Sequence, residues 1–115
     1  MKYTGVFLTV ILTAVFCISA NLLAYTDGNG SAENPYQIAN KADLLELAAD
    51  TDNYDKCFIL TADIDLAGET FYQAVIAPDT NTASQYFQGT VFTGTFNGNN
   101  YTIDHLLIQG VTYLG

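Results

Sequence analysis

At 115 residues the chain has room for one folded domain and no more. Three lysines, no arginine and twelve carboxylates leave a formal net charge of −9. A surface of that sign repels nucleic acid and anionic membranes, and the lack of arginine removes the usual bidentate phosphate ligand, so nucleic-acid binding is excluded.

The first element in chain order is MKYTGVFLTVILTAVFCISANLLA, in which Lys2 precedes an uncharged apolar run from Val6 to Ile18. The run is short for a bilayer span and suits the apolar core of a secretory signal, so residues 1–24 are read as a signal peptide, cut after Ala24 or Ala20. An uncleaved anchor over Val6 to Ala24 is the alternative. A lipid-modified Cys17 is set aside because Phe16 stands where a small residue is needed. Export to the medium or the cell surface follows, with no stable membrane insertion once the signal is removed.

After such a cut, Lys41 and Lys56 oppose all twelve acids, a net charge of −10. Cys57 then has no partner for an intramolecular disulfide, and its apolar neighbours in CFIL fit a small packing residue better than a nucleophile. Residues 25–35 form a polar arm that ends at Pro35. Asp27, Asn29 and Ser31 copy the start of a calcium loop, but Ala32 and Ile38 stand where the glycine and the distal glutamate belong.

Beyond the arm, Tyr36 to Ala39 is a short half-alternating stretch. Asn40 is placed to cap a helix running to Asp50, with Asp43 in the first turn and Leu44, Leu45, Leu47 and Ala48 on one side. In KCFILTADIDLAG the chemistry changes to that of a strand, with Ile64 and Leu66 on one face and Asp63 and Asp65 on the other. Phe71 to Ala77 is another apolar segment, and Val91 to Phe96 resumes strand chemistry. Asn97 to Asn100 supplies residues that tolerate a left-handed backbone, and Tyr101 to Ile103 and Leu106 to Ile108 follow. One helix among many short strands argues against a βαβ unit and for a mostly β body.

Taken together, GSAENPYQIANKADLLELA, FILTADIDLAG and FTGTFNGNNYTIDHLLI resemble the N-terminal region of secreted bacterial proteins that carry GLUG repeats, glycine-rich units associated with immunoglobulin A1 proteases and large surface proteins. Phe92, Gly94, Phe96, Gly98, Asn99, Ile103, Leu106 and Ile108 occupy the family's places, while Asn97 and Asn100 depart from its aspartate and glycine. The resemblance implies that residues 36–115 form the start of a right-handed β-helix or β-solenoid with one N-terminal amphipathic capping helix. It also implies that Tyr113, Leu114 and Gly115 open a first full repeat, so that the chain is a fragment of a longer protein and self-associates through its open C-terminal end.

The functional expectation is an exported, non-catalytic structural or adhesion module, the head of a cell-surface repeat protein with a carbohydrate or protein ligand. The alternative is the N-terminal part of a secreted β-helix enzyme acting on polysaccharide or protein, any catalytic domain lying beyond residue 115. No catalytic or cofactor-binding residue is assigned. Asp63, Asp65 and Glu69 form the one acidic cluster that calcium could use, although alternating strand acids form a solvated face more often than a metal site. The phenylalanines Phe58, Phe71 and Phe92 are read as core, and His105, beside Asp104, as a turn residue.

Overall fold

The computed structural model describes residues 25–81 and 83–110. The signal-peptide reading of residues 1–24 and the repeat expected at Tyr113 to Gly115 lie outside them. The named elements are β1 (Tyr36–Ile38), α1 (Lys41–Ala49), a 3-10 turn (Thr51–Asn53), β2 (Cys57–Leu60), β3 (Ile64–Asp65), β4 (Thr95–Asn97) and β5 (Ile103–Asp104).

These strands make two small sheets, both parallel: one of three strands in the order β1, β2, β4, and one pairing β3 with β5. In register, Phe58 lies between Tyr36 and Phe96, and Ile64 beside Ile103. A single parallel bridge between Phe71 and Ile108 continues the pairing. Parallel neighbours need a crossover, which a helix commonly supplies, and α1 does so between β1 and β2.

This arrangement corrects the expected fold class. The described residues form a small mixed fold and not a β-helix: the strands are two to four residues long, they fall into separate sheets, and residues 66–94 contain no named strand. The reading against a βαβ unit is overturned by β1, α1 and β2 themselves. The helix is also no lid on a coil, because its Leu44 and Leu47 belong to the main core. Apolar alternation in runs this short reports which residues face inward; it carries no information on how many strands stack or which helix they share.

Local chemistry accounts for the elements. Asn40, in extended backbone, accepts the Asp43 N–H through its side chain at 2.9 Å, satisfying one free donor of the first turn of α1. Asp43 is itself buried and accepts bonds from the Thr26 hydroxyl at 2.7 Å and the Ala39 N–H at 2.8 Å. Those bonds tie the arm and the end of β1 to the helix. Tyr54, buried after the 3-10 turn, donates its hydroxyl to the Ala48 carbonyl and accepts the Ala77 N–H, so one side chain links the end of α1 to the long irregular segment.

The core comprises Ile38, Leu44, Leu47, Tyr54, Phe58, Leu60, Ile64 and Leu66. Tyr25 and Tyr36 stack at a centroid distance of 4.5 Å and both lie against Phe58, which in turn meets Phe92 at 6.1 Å. Phe58 is fully buried, whereas Phe71 and Phe92 pack against the core only in part. Close approach of the chain entering β4 to the start of β2 requires Gly94: a Cβ there would lie 2.0 Å from the Lys56 carbonyl oxygen, the group that accepts the Thr95 N–H. Asn99 and Asn100 take positive φ of 47° and 64°, as the turn reading expects, and Asn99 donates its amide to the Leu60 carbonyl.

Candidate functional site

Two features of the β3–β5 pair concern function, an acidic outer face and an apolar groove. Alternation along β3 sends Ile64 and Leu66 into the core and leaves Asp63 and Asp65 exposed, as the sequence pattern requires. Asp63 accepts the Thr102 N–H at 2.9 Å. The Thr102 hydroxyl lies 3.2 Å from Asp63 and 3.0 Å from Asp104, and donates to one of them at a time.

Asp65 accepts the Ala67 N–H at 2.9 Å and stands 2.8 Å from Nδ1 of His105. The Ala67 amide first, and His105 second, hold the Asp65 carboxyl below the usual carboxylate range. His105 adopts a left-handed φ of 58° directly after β5, and its ring joins the end of β5 to β3. Glu69, the third acid of the expected cluster, forms an ion pair with Lys41 at 3.0 Å.

Each of the three acids therefore has its own protein partner: Thr102 for Asp63, the Ala67 amide and His105 for Asp65, and Lys41 for Glu69. Among the described residues, no group of three or more histidine, cysteine, aspartate or glutamate side chains is arranged to hold a metal ion. The polar ladder's chemistry is adhesion between two short strands. Sequence reading missed its two cross-strand links, because Thr102 and His105 stand 39 and 40 residues from their partners. Cys57 is a free thiol, half-buried at the start of β2.

On the apolar side of the same strands lies a groove of about 230 Å³ with almost no polar lining. Leu44 and Leu66 reach it from the core, Val75 and Ile76 from the segment after β3, and Ile103 and Leu106 from β5 and the residues just after it. Beside it Leu106 is 50% exposed and Leu107 45%. A volume this small is below the range of pockets that enclose drug-sized ligands and fits one or two aliphatic side chains. Elsewhere, Tyr72 and Tyr86 are the most exposed of the described large hydrophobic residues.

Fold and site together define a small acidic α/β unit with paired parallel strands and an unfilled apolar edge. Compared with known proteins, the chain is 38% identical over 92 residues to Halomucin of Haloquadratum walsbyi (strain DSM 16790 / HBSQ001). That match takes in 76% of this chain and 1% of Halomucin, so the chain spans about one hundredth of the relative's length. No family model matches, which leaves the resemblance to GLUG-repeat proteins without support, and no solved structure matches.

Proposed function

We propose that this chain is a non-catalytic module of a large exported protein, displayed at the cell surface as a structural or adhesive element. The observation that carries the reading is the similarity to a short stretch of Halomucin, a relative so long that a unit of this size is one small part of it. The acidic composition supports it, since a strongly negative unit stays soluble and resists association with anionic surfaces. So does the geometry of the polar residues: Thr102 and His105 engage Asp63 and Asp65 across β3 and β5, and Glu69 pairs with Lys41, so the acids are engaged in contacts within the fold.

The test is display on intact cells. An epitope inserted at the exposed Tyr86 is expected to be labelled by antibody without permeabilisation, and to be shaved off by added protease. Labelling that appears only after lysis would refute the surface assignment.

A further inference from the structure

The turn between β4 and β5 holds three asparagines, and the fold uses the side chains of two. Asn97 accepts the Asn99 N–H at 2.9 Å, and Asn99 donates its amide to the Leu60 carbonyl at 3.2 Å. The Tyr101 N–H closes the turn on the Gly98 carbonyl at 2.8 Å, with Asn99 and Asn100 in left-handed backbone between them. Asn100 is exposed, and its carboxamide makes no hydrogen bond with any described residue.

Asn100-Tyr101-Thr102 is also an Asn-X-Thr triplet whose middle residue is not proline, the acceptor pattern for N-linked sugar on exported chains. A second triplet, Asn29-Gly30-Ser31, is built into its loop: the Asn29 side chain accepts the Ser31 N–H at 3.0 Å, and Gly30 is buried against the Tyr36 ring. In the Asn100 triplet Tyr101 is 42% exposed and Thr102 is exposed as well. We propose that Asn100 is an N-glycosylation site, with an oligosaccharide on its side-chain nitrogen; this rests on the export reading above.

The donor is a lipid-linked glycosyl phosphate, and the step needs no oxidant or reductant. A bond forms between Nδ2 of Asn100 and the anomeric carbon of the sugar, while the bond from that carbon to the phosphate oxygen breaks. The lipid phosphate leaves with the electron pair, and the amide nitrogen gives one proton to a base of the transferase. Transfer precedes the docking of β5 on β3, because in the folded chain Asp63 holds the N–H and the hydroxyl of Thr102. The surroundings suit the product. Every carboxylate lies at or before Asp79 or at Asp104, so residues 80–103 carry no charge, while Tyr101, Leu106 and Leu107 are exposed. A bulky group rich in hydroxyls at Asn100 hydrates a stretch that the carboxylates do not, next to apolar side chains that otherwise face water.

The test is mass spectrometry, intact and by peptide, of the full chain made in its native cells and recovered through the epitope at Tyr86. The mass is expected to exceed that of the polypeptide by a whole number of sugar residues, with the increment on the peptide that contains Asn100. Asn100→Asp, which tolerates the left-handed backbone, and Thr102→Val, which replaces the hydroxyl with a methyl group, should each lose the increment entirely. Thr102→Ser and Asn29→Gln should keep it. An unmodified Asn100 in a chain that antibody labels on intact cells overturns this proposal and leaves the surface assignment standing. A chain labelled only after lysis and free of sugar overturns both, and an increment that survives Asn100→Asp places the sugar elsewhere and overturns the proposal alone.

Discussion

Ile64 and Ile103 are register partners in neighbouring parallel strands, yet Ile64 is 1% exposed and Ile103 is 37% exposed. The same contrast separates Phe58 from its partner Phe96, and Leu66 from Leu106. Residues of β1 to β3 supply Ile38, Phe58, Leu60 and Ile64 to the core, where they pack with Leu44 and Leu47 of α1. Residues of β4 and β5 contribute no fully buried side chain. Strand chemistry alone thus does not decide burial; position in the stack does.

The largest effects are expected in the covered layer. Leu47→Ala removes a fully buried side chain from α1 and should cost about 2–5 kcal/mol by chemical denaturation. A loss below about 1 kcal/mol would mean that the helix is not part of the core. Next comes the contact between the two layers. Gly94→Ala drives a methyl group into the Lys56 carbonyl and should cost about 1–3 kcal/mol, with loss of amide protection at Thr95 before Ile59.

Smaller changes test how the arm and helix hold the covered side. Asn40→Ala should cost about 1 kcal/mol, and Asn40→Asp should restore most of it. At Tyr25, burial, followed by the hydrogen bond to Asp50 and the negative charges of Asp50 and Glu46, pushes the phenol well above the ordinary tyrosine range. Folding therefore favours the protonated phenol. The stability it contributes is complete below the unfolded value near 10 and falls as pH rises past it. Tyr25→Phe should cost about 1 kcal/mol at neutral pH and flatten the alkaline limb of the stability curve. Asp65 runs the opposite way: its depressed carboxyl contributes above the ordinary aspartate value and loses that contribution as pH falls through the folded one. The protection factor of the Leu66 amide, which donates to the Asp104 carbonyl, should fall on acidification in the parent chain and less so in Asp65→Asn.

The smallest effect belongs to the uncovered layer. Leu106→Ala should change stability by no more than about 0.5 kcal/mol under dilute conditions, although the residue is as apolar as Leu47. A cost comparable to that of Leu47→Ala would show that the second layer is as well packed as the first.

Much of this was legible from local pattern. Asn40 three residues before Asp43 marks the helix start, and Asp-Ile-Asp-Leu marks which side of β3 faces inward, because both signals are written into adjacent residues by backbone geometry. Asn99 and Asn100 likewise announce a left-handed turn, since their short polar side chains tolerate positive φ. The acidic ladder was visible only in part: Asp63 and Asp65 stand out, but Thr102 and His105 become partners only through pairing across some forty residues.

The amino-acid sequence by itself determined the helix, its cap, the inward face of β3, the turn asparagines and the negative charge, all of which depend on residues close along the chain or on composition. Only the tertiary structure decided that α1 is the crossover of a parallel pair and not the lid of a coil. It alone buried Asp43 under Thr26 and Ala39, set Gly94 against Lys56, and left Leu106 and Leu107 beside an unfilled groove. Those outcomes depend on which distant segments the shared core draws together, and a hydrophobic core rewards any arrangement that removes apolar surface from water without recording the arrangement in local periodicity.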